Sequence, residues 1–345
     1  MLIFTPSARR RRRESIEPVE EHDDHESNDL AWPAVCSGDV GTLARQSLRT
    51  DVNRLCQPVP ARLAGRIDRG IGRDRVRIGA WLVAEDRDRA FRGSDEVENP
   101  VNEKTTIRVP IVTVNVRLTD HVGVQLAATV PVITRTGIVS RPTGAIDFSE
   151  TFRGLGDTSL LAWYRFASMH RWNVVANVGA SLPTGRTEQP RFRTELLEGS
   201  LVPMSRLQRG SGTLDPLFGV NVDRRFGTYT FFSGVAARAP VSQNEFGLRT
   251  GVSSEVTTGA SHTLGHHRIA GYGRLGWLHR EQDVFHGTPV LVGGGDWVYL
   301  TPGVSVQAGK GFGVQAEVKL PVYRSLANHQ LDSRAIWQFG ISRAF

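Results

Sequence analysis

The segment Gly271-Tyr272-Gly273-Arg274-Leu275-Gly276 matches the G-x-G-x-x-G fingerprint of dinucleotide-binding proteins letter for letter. That chemistry needs the glycines at a strand-to-helix turn, where amides at a helix N-terminus meet a pyrophosphate. Here the motif lies inside an alternating strand pattern, and no helical period follows it. We therefore expect no nucleotide and no other cofactor.

A second candidate group consists of His262, His266 and His267, because neighbouring histidines can bind a metal ion. No carboxylate or cysteine lies close by in sequence to complete a ligand set. The simpler interpretation is an exposed turn, so no metal is expected.

The third group, Asn328-His329 with Asp332-Ser333, has the residue types of a hydrolase. Such an enzyme needs a nucleophile or water activated by a histidine that an orienting partner holds. The spacing fits no hydrolase motif, so we predict that the protein is not an enzyme and has no catalytic residues. A hydrolase is kept as the least favoured alternative.

The composition excludes several classes of protein. Two cysteines in 345 residues are too few for a disulfide scaffold. No stretch approaches the ~20 apolar residues that a membrane-spanning helix needs. All but three of the 42 basic residues are arginine, a bias typical of GC-rich genomes, so the net charge of +7 by itself identifies no partner.

From Asp74 onward the residues alternate between apolar and polar with a period of two. In 298–308 and 312–323 one set is apolar and the set between is mostly polar or glycine, as on the two faces of a strand. The same pattern predicts about 12 strands in all, at about 75–84, 106–118, 121–132, 158–168, 172–182, 217–226, 229–239, 246–257, 267–279, 298–308, 312–323 and 334–345.

Short and long connections alternate between these strands. The short ones are Thr119-Asp120, Met169–Arg171, Gly227-Thr228, a turn around Gly259, and Gly309–Gly311. The long ones are about 85–105, 133–157, 183–216, 280–296 and 324–333, with a shorter member near 240–245. An even number of strands with tight turns at one end and long loops at the other is typical of bacterial outer-membrane barrels.

A soluble two-sheet protein is the alternative to a membrane barrel. A closed barrel of about 12 strands would enclose a lumen too wide for one apolar side-chain layer to fill. Apolar residues would then face lipid and polar residues the lumen, on strands of the required ~9–11 residues. We predict an all-β protein, an antiparallel transmembrane β-barrel of residues 74–345 in the bacterial outer membrane.

Aromatic residues near the strand ends support this interpretation, because interfacial girdles are expected there. They are Trp172, Phe226, Tyr229, Trp277, Phe312 and Phe345, while Trp163, Trp297 and Trp337 fit either a girdle or packing. Phe345 at the end of an alternating strand resembles the assembly signal of outer-membrane proteins, although Arg343 stands where an apolar residue is usual.

Short glycine-rich motifs add a family resemblance. They are Gly154-Leu155-Gly156-Asp157 before 160–166, Leu182-Pro183-Thr184-Gly185, and Gly210-Ser211-Gly212 with Asp215-Pro216. Their order resembles the outer-membrane transporter family associated with the meta-pathway of phenol degradation, over about residues 74–345. The resemblance implies a barrel with a role in the passage of small, often aromatic, solutes.

Residues 1–73 have a different character. Arg9–Arg13 precede an acidic run, Glu14–Asp29, and such charge blocks are typical of disorder. No aromatic residue is interleaved with the arginines, so no nucleic-acid partner is expected. Met1–Phe4 is too short for the apolar core of an export signal, and no other apolar segment lies before Asp74. We therefore interpret 1–73 as a disordered extension or as the product of a misassigned start codon.

The inward faces of the strands are expected to carry more basic than acidic residues. The basic set is Arg75, Arg77, Arg117, Arg165, Arg225, Arg238, Arg249, Arg268, Arg274 and Lys319, and the acidic set is Asp223, Glu255 and Glu317. Basic rings in pores favour anions. Pairing with loop carboxylates is the alternative interpretation.

These observations predict a barrel that passes small solutes, anionic or aromatic, by passive or facilitated diffusion. A structural or surface-interaction barrel with a plugged lumen is the main alternative. The expected partners are outer-membrane lipid, the barrel-assembly machinery and the solutes, and the oligomeric state stays open.

Overall fold

The computed structural model describes residues 75–345 except 142–143, 167–171, 188–194, 198–199, 202–207, 265–268, 291–292 and 309–310. The predictions for 1–73, including the disordered extension, lie outside the described residues. No helix long and apolar enough to span a membrane occurs in the described part of the chain.

All regular elements of the described residues are strands. They are β1 (Val76–Gly93), β2 (Asp95–Val97), β3 (Lys104–Arg117), β4 (Val122–Thr129), β5 (Val132–Arg141), β6 (Gly144–Arg153), β7 (Thr158–Phe166), β8 (Trp172–Leu182), β9 (Glu195–Leu197), β10 (Ser200–Leu201), β11 (Asp215–Phe226), β12 (Tyr229–Arg238), β13 (Leu248–Arg249), β14 (Ser253–Leu264), β15 (Ile269–Arg280), β16 (Val284–Phe285), β17 (Thr288–Pro289), β18 (Gly295–Ala308) and β19 (Phe312–Ala344).

The strands close into an antiparallel barrel of 12, which confirms the predicted fold class. The hydrogen-bonded ring runs β1-β3-β4-β7-β8-β11-β12-β14-β15-β18-β19 and returns to β1. β19 supplies two wall strands, because its first part pairs with β18 and its last part with β1. The Phe345 amide donates to the Val76 carbonyl at 2.9 Å and thereby joins the last strand to the first.

One wall strand lies later in the chain than the sequence pattern predicts. The pattern places it at 246–257, with a turn around Gly259, but the wall strand is β14 and Gly259 lies within it. Leu248 and Arg249 instead form β13, in a small separate sheet with β16 and β17. Ser, Thr and Gly dominate 251–261, so the residue types distinguish strand from turn poorly there.

Outward positions form an apolar band. Ile78, Leu126, Val178, Phe218 and Leu275 are exposed, whereas the residues on either side of each point inward and are more buried. Outward apolar faces on a closed barrel are the arrangement that lipid requires, so the chain is a bacterial outer-membrane β-barrel. The girdle residues expected near the strand ends all face outward, as does Trp337, whereas Trp163 and Trp297 are buried inside.

Several inward aromatic rings lie over the glycine directly opposite on the next strand. Trp81 pairs with Gly340, and a Cβ on that glycine would lie 2.0 Å from the indole ring. Trp163 covers Gly123 in the same way. Such pairs fill the space left by the missing side chain and help to fix the strand register.

Candidate functional site

A belt of apolar side chains lines much of the inner wall. Its members belong to one buried cluster, and we refer to them as the inner apolar belt. They are Trp81, Val83, Ile107, Val109, Ile111, Ala127, Ala236, Leu278, Trp297, Tyr299 and Ile336. The sequence pattern predicts polar inward faces and does not reveal this belt. A signal for it is present in 80–84 and 109–112, where successive residues are apolar and both faces must therefore be apolar.

The structure divides the predicted basic set into two groups. Arg238, Arg274 and Lys319 are buried and form ion pairs inside the barrel. We call the second group the periplasmic basic arc, because its members lie near the short-turn end of the barrel: Arg75, Arg77, Arg117, Arg165 and Arg225.

Two predicted positions fall in neither group. Arg249 lies in β13 rather than in the barrel wall, because the pattern places the wall strand several residues too early. Arg268 lies outside the described residues. All three predicted acids, Asp223, Glu255 and Glu317, belong to the inward set of their strands.

The periplasmic basic arc covers about half the circumference. Its residues lie on or beside β1, β3, β7 and β11. In the ring, β11 is five strands from β1, a distance of about 24 Å along the wall at ~4.8 Å between neighbouring strands. Arg117 lies 3.8 Å from the exposed Asp120, and the Arg225 Nε donates to the Gly227 carbonyl at 3.0 Å. On the other half, the corresponding described positions are uncharged: Thr230, Thr263, Ala270, Gln307 and Gly313.

A buried polar network lies on the inner wall between β14, β15 and β19. Tyr272 donates to a Glu317 oxygen at 2.9 Å, and the Arg274 guanidinium donates to the other oxygen at 3.1 Å. Gln315 donates to the Tyr272 hydroxyl at 2.7 Å. Lys319 Nζ lies 3.3 Å from Glu255, so every charge named here faces an opposite one.

The three motifs that carry the family resemblance meet at one place. Asp157 accepts hydrogen bonds from the Gly185 amide at 3.2 Å and from the Ser211 amide and hydroxyl at 2.7 and 2.8 Å. A Cβ on Gly210 would lie 2.5 Å from the Asp157 carboxylate and 2.7 Å from the Gly185 Cα. We call Gly156, Asp157, Gly185, Gly210 and Ser211 the Asp157 cluster. Its hydrogen bonds attach both ends of the connection between β8 and β11 to the barrel wall.

The Asp157 cluster continues into a buried ion pair. Thr213 donates to Asp215 at 2.6 Å, and Asp215 pairs with Arg238. Asp157 lies between β6 and β7, outside the strands. Burial raises the pKa of its carboxyl above the usual value, although the charge of Arg238 and the hydrogen bonds that Asp157 accepts act in the opposite direction. Asp157 and Asp215 lie at strand ends, which the sequence pattern assigns to loops, so the predicted acidic set does not contain them.

The structure locates the described members of the three candidate groups that opened the sequence analysis. The glycine-rich fingerprint lies in β15, as predicted, and contributes Tyr272 and Arg274 to the buried network. His262 does not lie in a turn but in β14, with its ring centroid 4.4 Å from that of Tyr229; His266 and His267 are outside the described residues. Asp332 pairs with Arg324 and accepts from Trp297, and His329 is exposed. Among the described residues no cluster of potential metal ligands occurs.

Comparison with protein-family models finds no match, and neither does comparison with curated proteins. Solved structures do match. The chain is similar to the COG4313 outer membrane channel from Pseudomonas putida F1, at 14% identity and a TM-score of 0.62, over 81% of this chain and 100% of that chain.

Two further solved structures are more distant. A Pseudomonas aeruginosa FadL homologue has 9% identity and a TM-score of 0.42 over 91% of this chain and 99% of its own. The toluene transporter TbuX from Ralstonia pickettii has 10% identity and a TM-score of 0.40 over 84% and 94%. At these identities the first likeness establishes the outer-membrane barrel fold, and the other two carry no argument. The association with phenol degradation stays a prediction.

Proposed function

We propose that the protein is an outer-membrane channel that passes small solutes with substantial apolar surface, such as aromatic compounds, by diffusion. The observation that carries the proposal is the inner apolar belt. A lumen that served only hydrophilic solutes would gain nothing from it, because water-filled barrels have polar interiors. The P. putida protein that shares the fold is an outer membrane channel, which is consistent with this function.

The periplasmic basic arc supports a preference for anionic members of this solute class. On β1, Arg77 precedes Trp81 of the belt by four residues, about 13 Å along the strand. A solute that leaves the apolar belt therefore next meets positive charge. Carboxylates with an aromatic or aliphatic body fit both surfaces.

The proposal predicts that aromatic anions occlude the channel for longer than small anions do. In planar bilayers with the full chain, benzoate should produce longer current blocks than acetate, which has the same charge and less apolar surface. Val109→Thr should shorten the benzoate blocks about fivefold, because it exchanges a methyl contact worth ~1 kcal/mol for a hydroxyl.

Val112→Thr is the matched control. Val112 lies on the same strand but faces lipid, so its replacement should leave the benzoate blocks unchanged. Current blocks of equal length for benzoate and acetate would contradict the proposal that the inner apolar belt binds the solute.

The basic arc predicts anion selectivity. Under a salt gradient, the wild-type reversal potential should favour chloride over potassium. The triple change of Arg77, Arg117 and Arg165 to glutamine should lower that permeability ratio about fivefold, since a unit charge ~4 Å from an ion in water is worth ~1 kcal/mol. Arg343→Gln, at the same end but facing lipid, is the control. Selectivity that survives the triple change would show that the arc does not set it.

The burial of most inward side chains favours one second candidate, a structural barrel with a closed lumen. Conductance separates the two functions. A folded, heat-modifiable barrel that shows no current steps would overturn the channel proposal in favour of the closed barrel.

A further inference from the structure

Arg224 is a charged residue on the lipid-facing side of β11. Side chains on this strand alternate, and Phe218, Val220 and Phe226 of the same set are exposed on the outer surface. The neighbours Asp223 and Arg225 belong to the inward set. Arg224 is thus outside the lumen and independent of solute passage.

The position of Arg224 along the strand is interfacial. It precedes the short turn at Gly227-Thr228 by only a few residues, so its Cα lies about 10 Å from the turn. Short turns mark the periplasmic end of such barrels. The long arginine side chain can therefore reach the headgroup level of the periplasmic leaflet, as snorkelling arginines do.

Two aromatic rings hold the guanidinium in place. Its Cζ lies 4.8 Å from the ring centroid of Trp172, which is directly opposite on β8, and 4.4 Å from that of Phe226. The Phe226 ring is in turn packed edge-on against Phe231 at 5.8 Å. Cation–π contacts of this kind are worth about 0.5–2 kcal/mol each and restrict the side chain to one orientation.

No residue in the described part of the chain accepts a hydrogen bond from the Arg224 guanidinium. The Nε of Arg224 is buried without a hydrogen-bond partner, and no carboxylate lies within ion-pair distance. Two outward basic residues near the other end of the barrel do have acids: Arg108 lies 2.9 Å from Asp86, and Arg334 lies 3.9 Å from Asp88. An oriented arginine at a lipid interface without an acid of its own requires an acceptor from outside the chain.

We propose that Trp172, Arg224 and Phe226 form a binding site for the phosphate of a phospholipid in the periplasmic leaflet. The guanidinium fork matches two phosphate oxygens. The surrounding aromatic rings, with Phe231, contact the glycerol backbone and the upper acyl chains. The site fixes the depth of this side of the barrel in the membrane.

The test is lipid binding by the full chain in detergent, measured by native mass spectrometry. The probes are dioleoyl phosphatidylglycerol and dioleoylglycerol, which share acyl chains and differ in the phosphate. The wild type should bind the phospholipid about tenfold more tightly than Arg224→Gln does, a typical effect of a charge-assisted hydrogen bond. Dioleoylglycerol should bind equally weakly to both.

Two further variants keep the result interpretable. Arg108→Gln removes the same charge from the outer surface near the other end of the barrel and should leave phospholipid affinity unchanged. Trp172→Leu keeps the arginine but removes one ring, and should lower the affinity severalfold while heat-modifiable migration shows that the barrel is folded. Equal phospholipid affinity of Arg224→Gln and the wild type would overturn the proposal, as would equal loss in Arg108→Gln.

Discussion

Asp157→Ala is expected to lower the free energy of unfolding by about 3 kcal/mol, one of the two largest effects that we predict. The substitution leaves the part-buried Gly185 amide and the buried Ser211 amide without their acceptor, while the Ser211 hydroxyl keeps the Thr213 carbonyl at 3.1 Å. Each unsatisfied buried donor costs about 1–3 kcal/mol, less where water enters. Urea unfolding of the full chain in lipid vesicles, followed by tryptophan fluorescence, measures the change.

The same substitution should also release the connection between β8 and β11. Limited proteolysis of the folded barrel should cut this connection faster in Asp157→Ala, while Asp157→Asn, which keeps one acceptor, should be intermediate. Asp120→Ala is the control, because its side chain is 87% exposed and its contact to Arg117 is long, so its stability should stay within about 0.5 kcal/mol of the wild type. Similar unfolding of Asp157→Ala and Asp120→Ala would contradict the role of the Asp157 cluster.

Arg274→Met should cost about 3–5 kcal/mol of unfolding free energy. The change leaves the Glu317 carboxylate buried without its guanidinium, and removal of one partner from a buried ion pair has costs in this range. Tyr272 still donates to Glu317, but a neutral hydroxyl does not compensate the lost charge. Urea unfolding under the same conditions provides the measurement.

A double-mutant cycle tests the physical reason. Addition of Glu317→Leu to Arg274→Met removes both charges, and the double variant should be more stable than Arg274→Met alone, since a buried pair replaced by apolar residues is often tolerated. Arg343→Met makes the same exchange at an exposed, lipid-facing position and should have little effect. A double variant less stable than both single variants would show that Glu317 stabilises the barrel through contacts other than Arg274.

The alternation of residue types predicts most of the wall correctly. It places β8 at 172–182, as observed, because Trp, Val and Leu mark the ends of this strand and its outward face. It misplaces β14, because a Ser-, Thr- and Gly-rich sequence gives a weak pattern that fits a turn at Gly259 equally well. In the barrel, Phe232 lies over Gly259 from the neighbouring strand, which is a tertiary reason for a glycine inside a strand.

The candidate sites are predictable to a smaller extent. The alternation predicts that Arg77, Arg117 and Arg165 point into the barrel. The period of two assigns each side chain to one face of its strand, and this assignment does not require knowledge of the neighbouring strands. Which inward charges are paired does not follow, since Arg274 and Glu317 are 43 residues apart and meet only across the intervening strand β18. The contacts of Arg224 likewise depend on strand register, because Trp172 is 52 positions away in sequence.

The sequence by itself determined that this chain forms a closed, lipid-facing barrel with short periplasmic turns, because local alternation and turn residues encode a strand and its two faces. Only the tertiary structure decided that the interior carries an apolar belt, that the basic residues divide into buried pairs and a periplasmic arc, and that three glycine motifs meet around Asp157. The physical reason is that pairing and burial depend on the register between strands, and register brings together residues that no local pattern connects.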